Sequence, residues 1–309
     1  MIGTQQVLVL FLLIIAGVII KKKGIVTDHI NAEVSSLVVN VCLPAFILSS
    51  MAFDFSLEVL TNSGLLVVIS FSIYGVSIAL SKVLNKGLGL KGAARDVYEY
   101  VAVFPNCGFM GYPVLHAAFG QEAVFYAAIY NLSFSVLVWS YGVFIMQRSH
   151  RENAEQRSIF SIIKSSVNPA MIAVLLGFLM FLTGIKLPGP IHQTVKMIGS
   201  ATTPLSMMFI GFILAEVHPR ELFSDKRDFL LTFHRLVILP ALVYFTLTTI
   251  GISGITLVIP VVITAMPAAA NSAILASRYQ SDFKLASKLI FITTLFSILT
   301  IPFVIGLVS

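Results

Sequence analysis

The sequence predicts an all-α polytopic membrane protein in which ten transmembrane helices form two inverted five-helix repeats. Hydrophobic residues make up 57% of the 309 residues and charged residues only 11%, less than half the share in soluble domains. Long apolar runs alternate with short polar loops, and prolines recur at a similar spacing in the two halves. A bilayer core of about 30 Å needs about 20 apolar residues per crossing, so the chain has room for about ten helices and little else.

Ten apolar runs bounded by charged or turn residues are each long enough to cross a bilayer. They cover residues 2–20, 34–53, 63–80, 98–119, 123–146, 166–185, 197–215, 229–250, 255–276 and 289–308. Lysines follow the first run rather than precede it, so we interpret 2–20 as a retained helix and not as a signal peptide. The polar stretch 147–165 predicts a cytoplasmic connector between a first repeat, 1–146, and a second, inverted repeat, 166–309.

The basic residues indicate how the helices are oriented. With ten crossings, 18 of the 20 lysines and arginines fall on one side, and only Lys186 and Lys196 fall on the other. Basic residues concentrate on the cytoplasmic side of membrane proteins. We therefore expect a multi-pass protein of the cell (inner) membrane with both termini extracytoplasmic. Because the basic residues stand singly between apolar runs, nucleic-acid binding is disfavoured.

Similarity between the two halves supports an inverted repeat. Pro44 and Pro204 lie 160 positions apart, and Pro105 and Pro267 lie 162 positions apart, with related flanking residues in each pair. An odd number of helices in each half places the second half upside down relative to the first. Two proline pairs at nearly one offset therefore indicate an internal repeat of inverted topology.

The fourth and ninth runs contain the strongest helix-breaking segments. FPNCGFMGYPV carries Pro105, Gly111 and Pro113, and MPAAANSAI carries Pro267. Proline removes a backbone donor and clashes with the preceding turn, so we expect hinges in these two segments. Breaks in corresponding helices of inverted halves point to a transporter's binding site, where half-helix N-termini attract an anion. The alternative is that these prolines only kink the helices.

Polar residues beside the two breaks are the candidate ligands of such an anion. The candidates that follow Pro105 are Asn106, Cys107 and Gly108, and those that follow Pro267 are Asn271 and Ser272. Polar side chains in membrane helices also form capping and interhelical hydrogen bonds, which is the alternative interpretation.

Ionisable residues inside the runs are few. His116 is a candidate proton-linked group because an imidazole has a pKa of about 6.5, although an interfacial histidine is the alternative. Acidic residues are missing near the middle of every run, and with them the carboxylate relay common in symporters. His234 and Arg235 lie one to two turns inside the eighth run, where snorkelling toward the cytoplasm explains both. The two cysteines lie 65 positions apart in apolar runs, so we expect no disulfide and no metal site.

The run FPNCGFMGYPVLHAAFG resembles the fourth-helix signature of the auxin efflux carrier family, which includes plant PIN-type auxin carriers and bacterial malate and malonate permeases. The length, the ten-run layout, the LPAFIL segment of the second run and residues 267–279 agree with that family. The resemblance therefore covers essentially the whole chain.

This resemblance implies a bile-acid-symporter-like, PIN-like fold. Pro105 and Pro267 would mark an X-shaped crossover, and Asn106 would contact a carboxylate substrate. Helices 1, 2, 6 and 7 would form a scaffold, often a homodimer interface, beside which the other helices move as an elevator. Plant members carry an Asp and Lys pair in the third helix, whereas the third run here holds no ionisable residue except Tyr74. Auxin is therefore a poor guess for the substrate.

We expect a secondary transporter of small organic anions, mono- or dicarboxylates with auxin-like acids as a further candidate, that works without a cofactor. An anion channel or a membrane ligand sensor could share the fold and remains an alternative. An intramembrane enzyme is less favoured, because the runs lack paired carboxylates, a Ser/His dyad and a metal cluster. A phosphate-binding loop of the P-loop type is also missing, which disfavours ATP-driven pumping by this chain alone.

Overall fold

The computed structural model describes residues 2–149, 167–216 and 225–309, and this part of the chain is almost entirely helical. Within it, seven helices are long and apolar enough to cross a membrane: Gln5–Lys22, Ile30–Ser50, Leu57–Gly87, Cys107–Gln147, Gly189–Ala215, Lys226–Thr249 and Phe283–Val308. Two shorter apolar helices, Pro169–Thr183 and Ile255–Thr264, accompany them. The prediction of an all-α polytopic membrane protein is therefore confirmed at this level.

The helices follow in chain order with few interruptions. They are α1 (Ile2–Lys22), α2 (Asp28–Leu37), α3 (Leu43–Ser50), α4 (Leu57–Gly87), α5 (Gly92–Val103), α6 (Tyr112–Leu137), α7 (Val143–Gln147), α8 (Pro169–Thr183), α9 (Gly189–Ser200), α10 (Thr202–Glu216), α11 (Lys226–Phe233), α12 (Leu239–Thr249), α13 (Ile255–Thr264), α14 (Asn271–Arg278) and α15 (Phe283–Val308). Within the described residues, four π-helical turns join some of them: Val38–Cys42, Cys107–Gly111, Val138–Gly142 and His234–Ile238.

Each predicted run corresponds to helix, with differences at the ends and internal interruptions in the fourth and ninth runs. The third run, predicted at 63–80, is part of the much longer α4. Between the fourth and fifth runs, the helix α6 is interrupted at Gly120, whose φ of 80° and ψ of −167° are not helical. The ninth run splits into α13 and α14. Most of the predicted connector, residues 150–165, lies outside the described residues.

Prolines account for most of the π-helical turns in the described residues. Three of the four turns end two residues before a proline, namely Pro44, Pro113 and Pro240. Proline has no N–H and its ring clashes with the carbonyl four residues earlier. A π-turn widens the helix there, as when the N–H of Leu43 bonds to the carbonyl of Val38 and that of Leu239 bonds to His234.

The described residues group into two compact units, each drawing on both halves of the sequence. Unit 1 contains the residues up to Val67, Gly108–Leu132 and Val167–Glu216. Unit 2 contains Val68–Cys107 and the described residues 133–149 and 225–309. The predicted scaffold helices 1, 2, 6 and 7 all fall in unit 1.

Close backbone contacts between helices hold unit 1 together. A Cβ atom added at Gly211 of α10 would lie 2.9 Å from Cα of Gly17 in α1, and it would overlap the carbonyl of Ile14. At Gly199 of α9, a Cβ atom would lie 2.8 Å from Cα of Phe46 in α3. Small residues allow such close approach, which is the usual way that helices pack in lipid.

Segment 108–132 packs within unit 1, although the family resemblance implies that the fourth and fifth helices belong with the moving part. Phe109 stacks on Phe209 with ring centroids 4.8 Å apart. The side-chain amide of Gln121 donates to the carbonyl of Ser49 at 2.6 Å. These side-chain contacts explain why this segment groups with the first, second, sixth and seventh predicted helices.

Two buried ionic clusters fix α5 in unit 2. Arg148 donates to Asp96 at 2.5 Å and to Glu99 at 2.7 Å. Lys288 of α15 lies 2.5 Å from Asp228 of α11, and Asp228 also accepts a hydrogen bond from the hydroxyl of Tyr98 on α5. The acidic side chains of both clusters are at most 2% exposed, so their charges are stabilised by these partners.

We predict that Gly211→Ala destabilises the protein, because the new methyl group overlaps the backbone of α1. Overpacking of this kind costs about 1–3 kcal/mol, and thermal unfolding in detergent, followed by circular dichroism, should show a lower midpoint. Gly64→Ala is the matched control, since no atom lies within 4 Å of its added Cβ. A Gly211→Ala protein as stable as the control would contradict the backbone contact.

We also predict that Lys288→Met lowers the free energy of unfolding by about 3–5 kcal/mol, because it leaves the buried carboxylate of Asp228 without its cation. The double variant Asp228→Asn/Lys288→Met should recover much of that loss. Lys284→Met, an exposed position one turn earlier on α15, is the control and should be nearly neutral. Equal losses in the single and double variants would show that the ion pair does not form.

Candidate functional site

Two helix breaks in unit 2 pair with each other. Pro105 follows α5, Ala268 follows α13, and these two residues form an isolated antiparallel bridge. The N–H of Asn106 donates to the carbonyl of Pro267 at 2.8 Å, and the N–H of Ala269 donates to the carbonyl of Phe104 at 3.1 Å. We call residues 104–106 and 267–269 the paired breaks. Each segment thereby satisfies backbone groups that its own helix has released, as the interior of a bilayer requires.

Local sequence explains why the chain leaves the helix here. Phe104 precedes a proline, which disfavours the helical region, and it is extended with φ −100° and ψ 112°. On the other side, the N–H of Ala268 donates to the hydroxyl oxygen of Thr293 on α15 at 3.1 Å. The two breaks are therefore fixed by proline, by each other and by a side chain of the last helix.

A helical segment begins after each break. The first begins at Cys107 and the second, α14, begins at Asn271. The N-terminal end of a helix carries a partial positive charge and N–H groups without intrahelical acceptors. Such ends favour an anion.

The structure brings together part of the predicted site. Six predicted residues lie in unit 2: Pro105, Asn106, Cys107, Pro267, Asn271 and Ser272. Asn106 and Cys107 are 4% and 1% exposed, and Asn271 is half-buried. The hydroxyl of Ser272 is fully buried and donates to the carbonyl of Ala269 at 2.7 Å, so its hydrogen is already committed to the backbone.

The other predicted residues belong to unit 1. These are Gly108, Gly111, Pro113 and His116. A Cβ atom at Gly108 would be 3.6 Å from the side chain of Leu43, which is ordinary packing. His116 is exposed, and its ring packs edge-on against Phe46 at 5.1 Å. The roles predicted for these residues stay predictions.

Tyr100 sets the orientation of the Asn271 amide. Its hydroxyl, fully buried on α5, donates to Oδ1 of Asn271 at 3.1 Å. Because a hydroxyl donor matches the oxygen of an amide, the NH₂ group of Asn271 is turned away from Tyr100 with both hydrogens available. This contact was not anticipated from the sequence, since the two residues lie 171 positions apart.

Aromatic rings surround the first break. Phe104 lies 4.6 Å from Tyr100, 6.1 Å from Tyr74 and 5.8 Å from Phe134, measured between ring centroids. Gly142 makes room for this cluster, because a Cβ atom there would lie 2.9 Å from the ring of Tyr100. The packed rings hold the extended segment in one position and leave it little freedom to return to a helix.

The interpretation of Arg235 as a snorkelling side chain is wrong. The residue is 0% exposed. Its Nη1 donates to the carbonyl of Ala102 at 2.9 Å and its Nε donates to the carbonyl of Met266 at 3.3 Å. Backbone carbonyls just before both breaks thus accept the hydrogen bonds of its guanidinium. The sequence did contain a signal, since a charged residue within an apolar run is functional by default.

The buried carboxylates Asp96, Glu99 and Asp228 were also missed, because Asp96 and Asp228 lie just before the predicted runs and Glu99 lies near the start of one. Among the described residues, no group of three or more His, Cys, Asp or Glu side chains could hold a metal ion. Cys42 and Cys107 are both buried and not in a disulfide.

Comparison with known proteins now agrees with the geometry. A family model described as "Membrane transport protein" matches residues 2–305. The chain belongs to this family, the auxin efflux carrier family. It is therefore a membrane transporter with several membrane-spanning helices.

Relatives of this transporter are also named transporters. The chain is 27% identical over 303 residues to an "Uncharacterized transporter" of Methanothermobacter thermautotrophicus, with 97% of this chain and 96% of the relative aligned. It is 28% identical over 308 residues to one of Methanocaldococcus jannaschii, with 97% of each chain aligned. The transporter YfdV of Escherichia coli K12 is 24% identical over 213 residues, which cover 68% of this chain and 67% of YfdV. The first two similarities extend over both halves of the chain.

Proposed function

We propose that this transporter is a secondary carrier of small organic anions, mono- or dicarboxylates, which bind at the paired breaks. The single observation that carries the proposal is the antiparallel pairing of Pro105 with Ala268, since each break is followed by the start of a helix. Broken helices that face each other in this way form the substrate sites of many secondary transporters.

Amide groups and helix ends supply the attraction for a carboxylate. Asn106 is the residue next to the first proline, and the NH₂ group of Asn271 is oriented by Tyr100. The buried carboxylates of unit 2 are matched by three cations, Arg95 and Arg148 for Asp96 and Glu99 and Lys288 for Asp228. Their negative charges are thereby compensated and do not oppose an incoming anion.

Packing inside unit 1 supports an inverted repeat. Gly17 of α1 meets Gly211 of α10, and Gly177 of α8 meets Met51, which follows α3. Gly177 lies 160 positions after Gly17, and Gly211 lies 160 positions after Met51, so one contact is the repeat image of the other. The same offset separates Pro44 from Pro204. We infer that the two halves have related folds of opposite orientation.

We further propose elevator-type alternating access. The separate packing of two compact units supports it, because such motion needs one unit to remain fixed while the other carries the substrate. Residues 108–132 would have to exchange their contacts with unit 1, including the ring stacking of Phe109 on Phe209, if the whole fourth and fifth helices move. The 18-to-2 division of basic residues supports an orientation with both termini outside the cell membrane.

We predict that Asn106→Ala lowers carboxylate uptake into proteoliposomes without unfolding the protein. A hydrogen bond to a charged group contributes about 1.5–3 kcal/mol, so KM should rise roughly 10- to 100-fold. Uptake of labelled malate, malonate, lactate, pyruvate and indole-3-acetate should be measured with and without a proton or sodium gradient. Asn40→Ala is the control, because Asn40 bonds to Ser36 within its own helix. Normal uptake by Asn106→Ala would remove Asn106 from the site.

Tyr100→Phe should raise KM severalfold while leaving the maximal rate closer to normal. The variant keeps the buried ring but removes the hydroxyl that orients the Asn271 amide. Tyr244→Phe, a partly buried tyrosine on α12, is the control. A KM unchanged from the parent for every transported carboxylate would show that the orientation of Asn271 does not matter for binding.

A further inference from the structure

Arg235 connects the two helices that lead into the paired breaks. Its guanidinium reaches α5 through hydrogen bonds from Nη1 to the carbonyls of Ala102 and Val103, at 2.9 and 3.5 Å. It reaches the segment after α13 through a hydrogen bond from Nε to the carbonyl of Met266 at 3.3 Å. The rigid, planar guanidinium of Arg235 thus bonds to backbone carbonyls from both halves of the sequence.

The carbonyls of Ala102 and Val103 need new hydrogen-bond donors, because at the first break the N–H groups that would bond to them in a helix bond elsewhere. In an uninterrupted helix, the N–H groups of Asn106 and Cys107 would bond to the carbonyls of Ala102 and Val103. Here the N–H of Asn106 bonds to Pro267 and that of Cys107 bonds to Pro105. The guanidinium supplies the replacement donors at the position where α5 ends.

The position of Arg235 on its own helix is fixed as well. It lies in the π-helical turn His234–Ile238, which ends two residues before Pro240. Such turns shift the direction of the side chains on a helix and often occur at functional sites. Because its side chain is 0% exposed, the guanidinium has little room to rotate away from the carbonyls.

We propose that Arg235 is the positioning residue of the carboxylate site. Its planar guanidinium sets the spacing and register of the two breaks. It thereby positions the side-chain amides of Asn106 and Asn271 so that both can bind the same anion. The inference rests on the proposed function. A lysine in its place would keep the positive charge but could not reach both helices, because its single nitrogen lacks the planar fork of arginine.

The test compares Arg235→Lys and Arg235→Gln with the parent protein in liposomes, using malate and malonate as probes. We expect both variants to fold and to show a KM at least 10-fold higher, with a smaller change in maximal rate. Val237→Ala, on the same π-helical turn but 38% exposed, is the control and should keep the parent KM.

Hydrogen exchange provides a second readout that needs no substrate. In Arg235→Lys, the amides of Asn106 and Ala269 should exchange faster, while amides in unit 1 keep the parent rates. A purely structural role would instead lower thermal stability and raise exchange throughout unit 2 without changing KM.

The possible outcomes separate the two proposals. An unchanged KM in Arg235→Lys, in a parent that transports a carboxylate, would overturn the positioning role and leave the proposed function intact. Loss of folded protein in both variants would also overturn it, because Arg235 would then serve stability alone. If the parent transports none of the carboxylates tested above, the proposed function fails and this inference fails with it.

Discussion

The need to satisfy every backbone hydrogen bond within a bilayer is the constraint on which this structure depends. Pro105 and Pro267 interrupt two helices, and an interruption in hydrocarbon is tolerated only where other protein groups bond to the released backbone. The two breaks meet this need together, since Asn106 bonds to Pro267 and Ala269 bonds to Phe104. In addition, the hydroxyl oxygen of Thr293 accepts from the N–H of Ala268, and Arg235 donates to the carbonyls of Ala102 and Met266. The same arrangement leaves two helix starts beside two amide side chains, which suits an anion.

The buried charged side chains of unit 2 are paired with charged or polar groups, because burial removes them from water. The carboxylates of Asp96 and Glu99 on α5, and of Asp228 beside Tyr98 of that helix, are buried and are stabilised by Arg148 and Lys288. The guanidinium of Arg235 lies at the C-terminal end of α5 and bonds to its last carbonyls. Arg235 is thus the charged side chain that bonds to the end of α5 at the candidate site, whereas the three carboxylates are paired with cations away from that end. This distribution supports the proposal that the substrate is an anion.

Local features of the sequence predicted the elements well. Apolar runs located the helices, because crossing a bilayer demands about 20 such residues whatever the rest of the chain does. The prolines located the paired breaks, since their backbone preferences act within one or two turns. The candidate site was predicted only in part. Asn106, Cys107, Asn271 and Ser272 do lie in one unit, but Ser272 bonds to the backbone, and Gly108 and His116 belong to the other unit.

The sequence by itself determined that this is a polytopic helical membrane protein of the auxin efflux carrier family, and where its helices break. Only the tertiary structure decided that the breaks pair, that Tyr100 orients Asn271, and that Arg235 joins α5 to the segment after α13. The physical reason is the sequence separation over which each kind of interaction acts. Hydrophobicity and proline act on neighbouring residues, whereas these contacts join residues 31 to 171 positions apart. Snorkelling was the reasonable expectation for an arginine near a helix end, and it failed because the carbonyls that bind Arg235 come from distant segments of the chain.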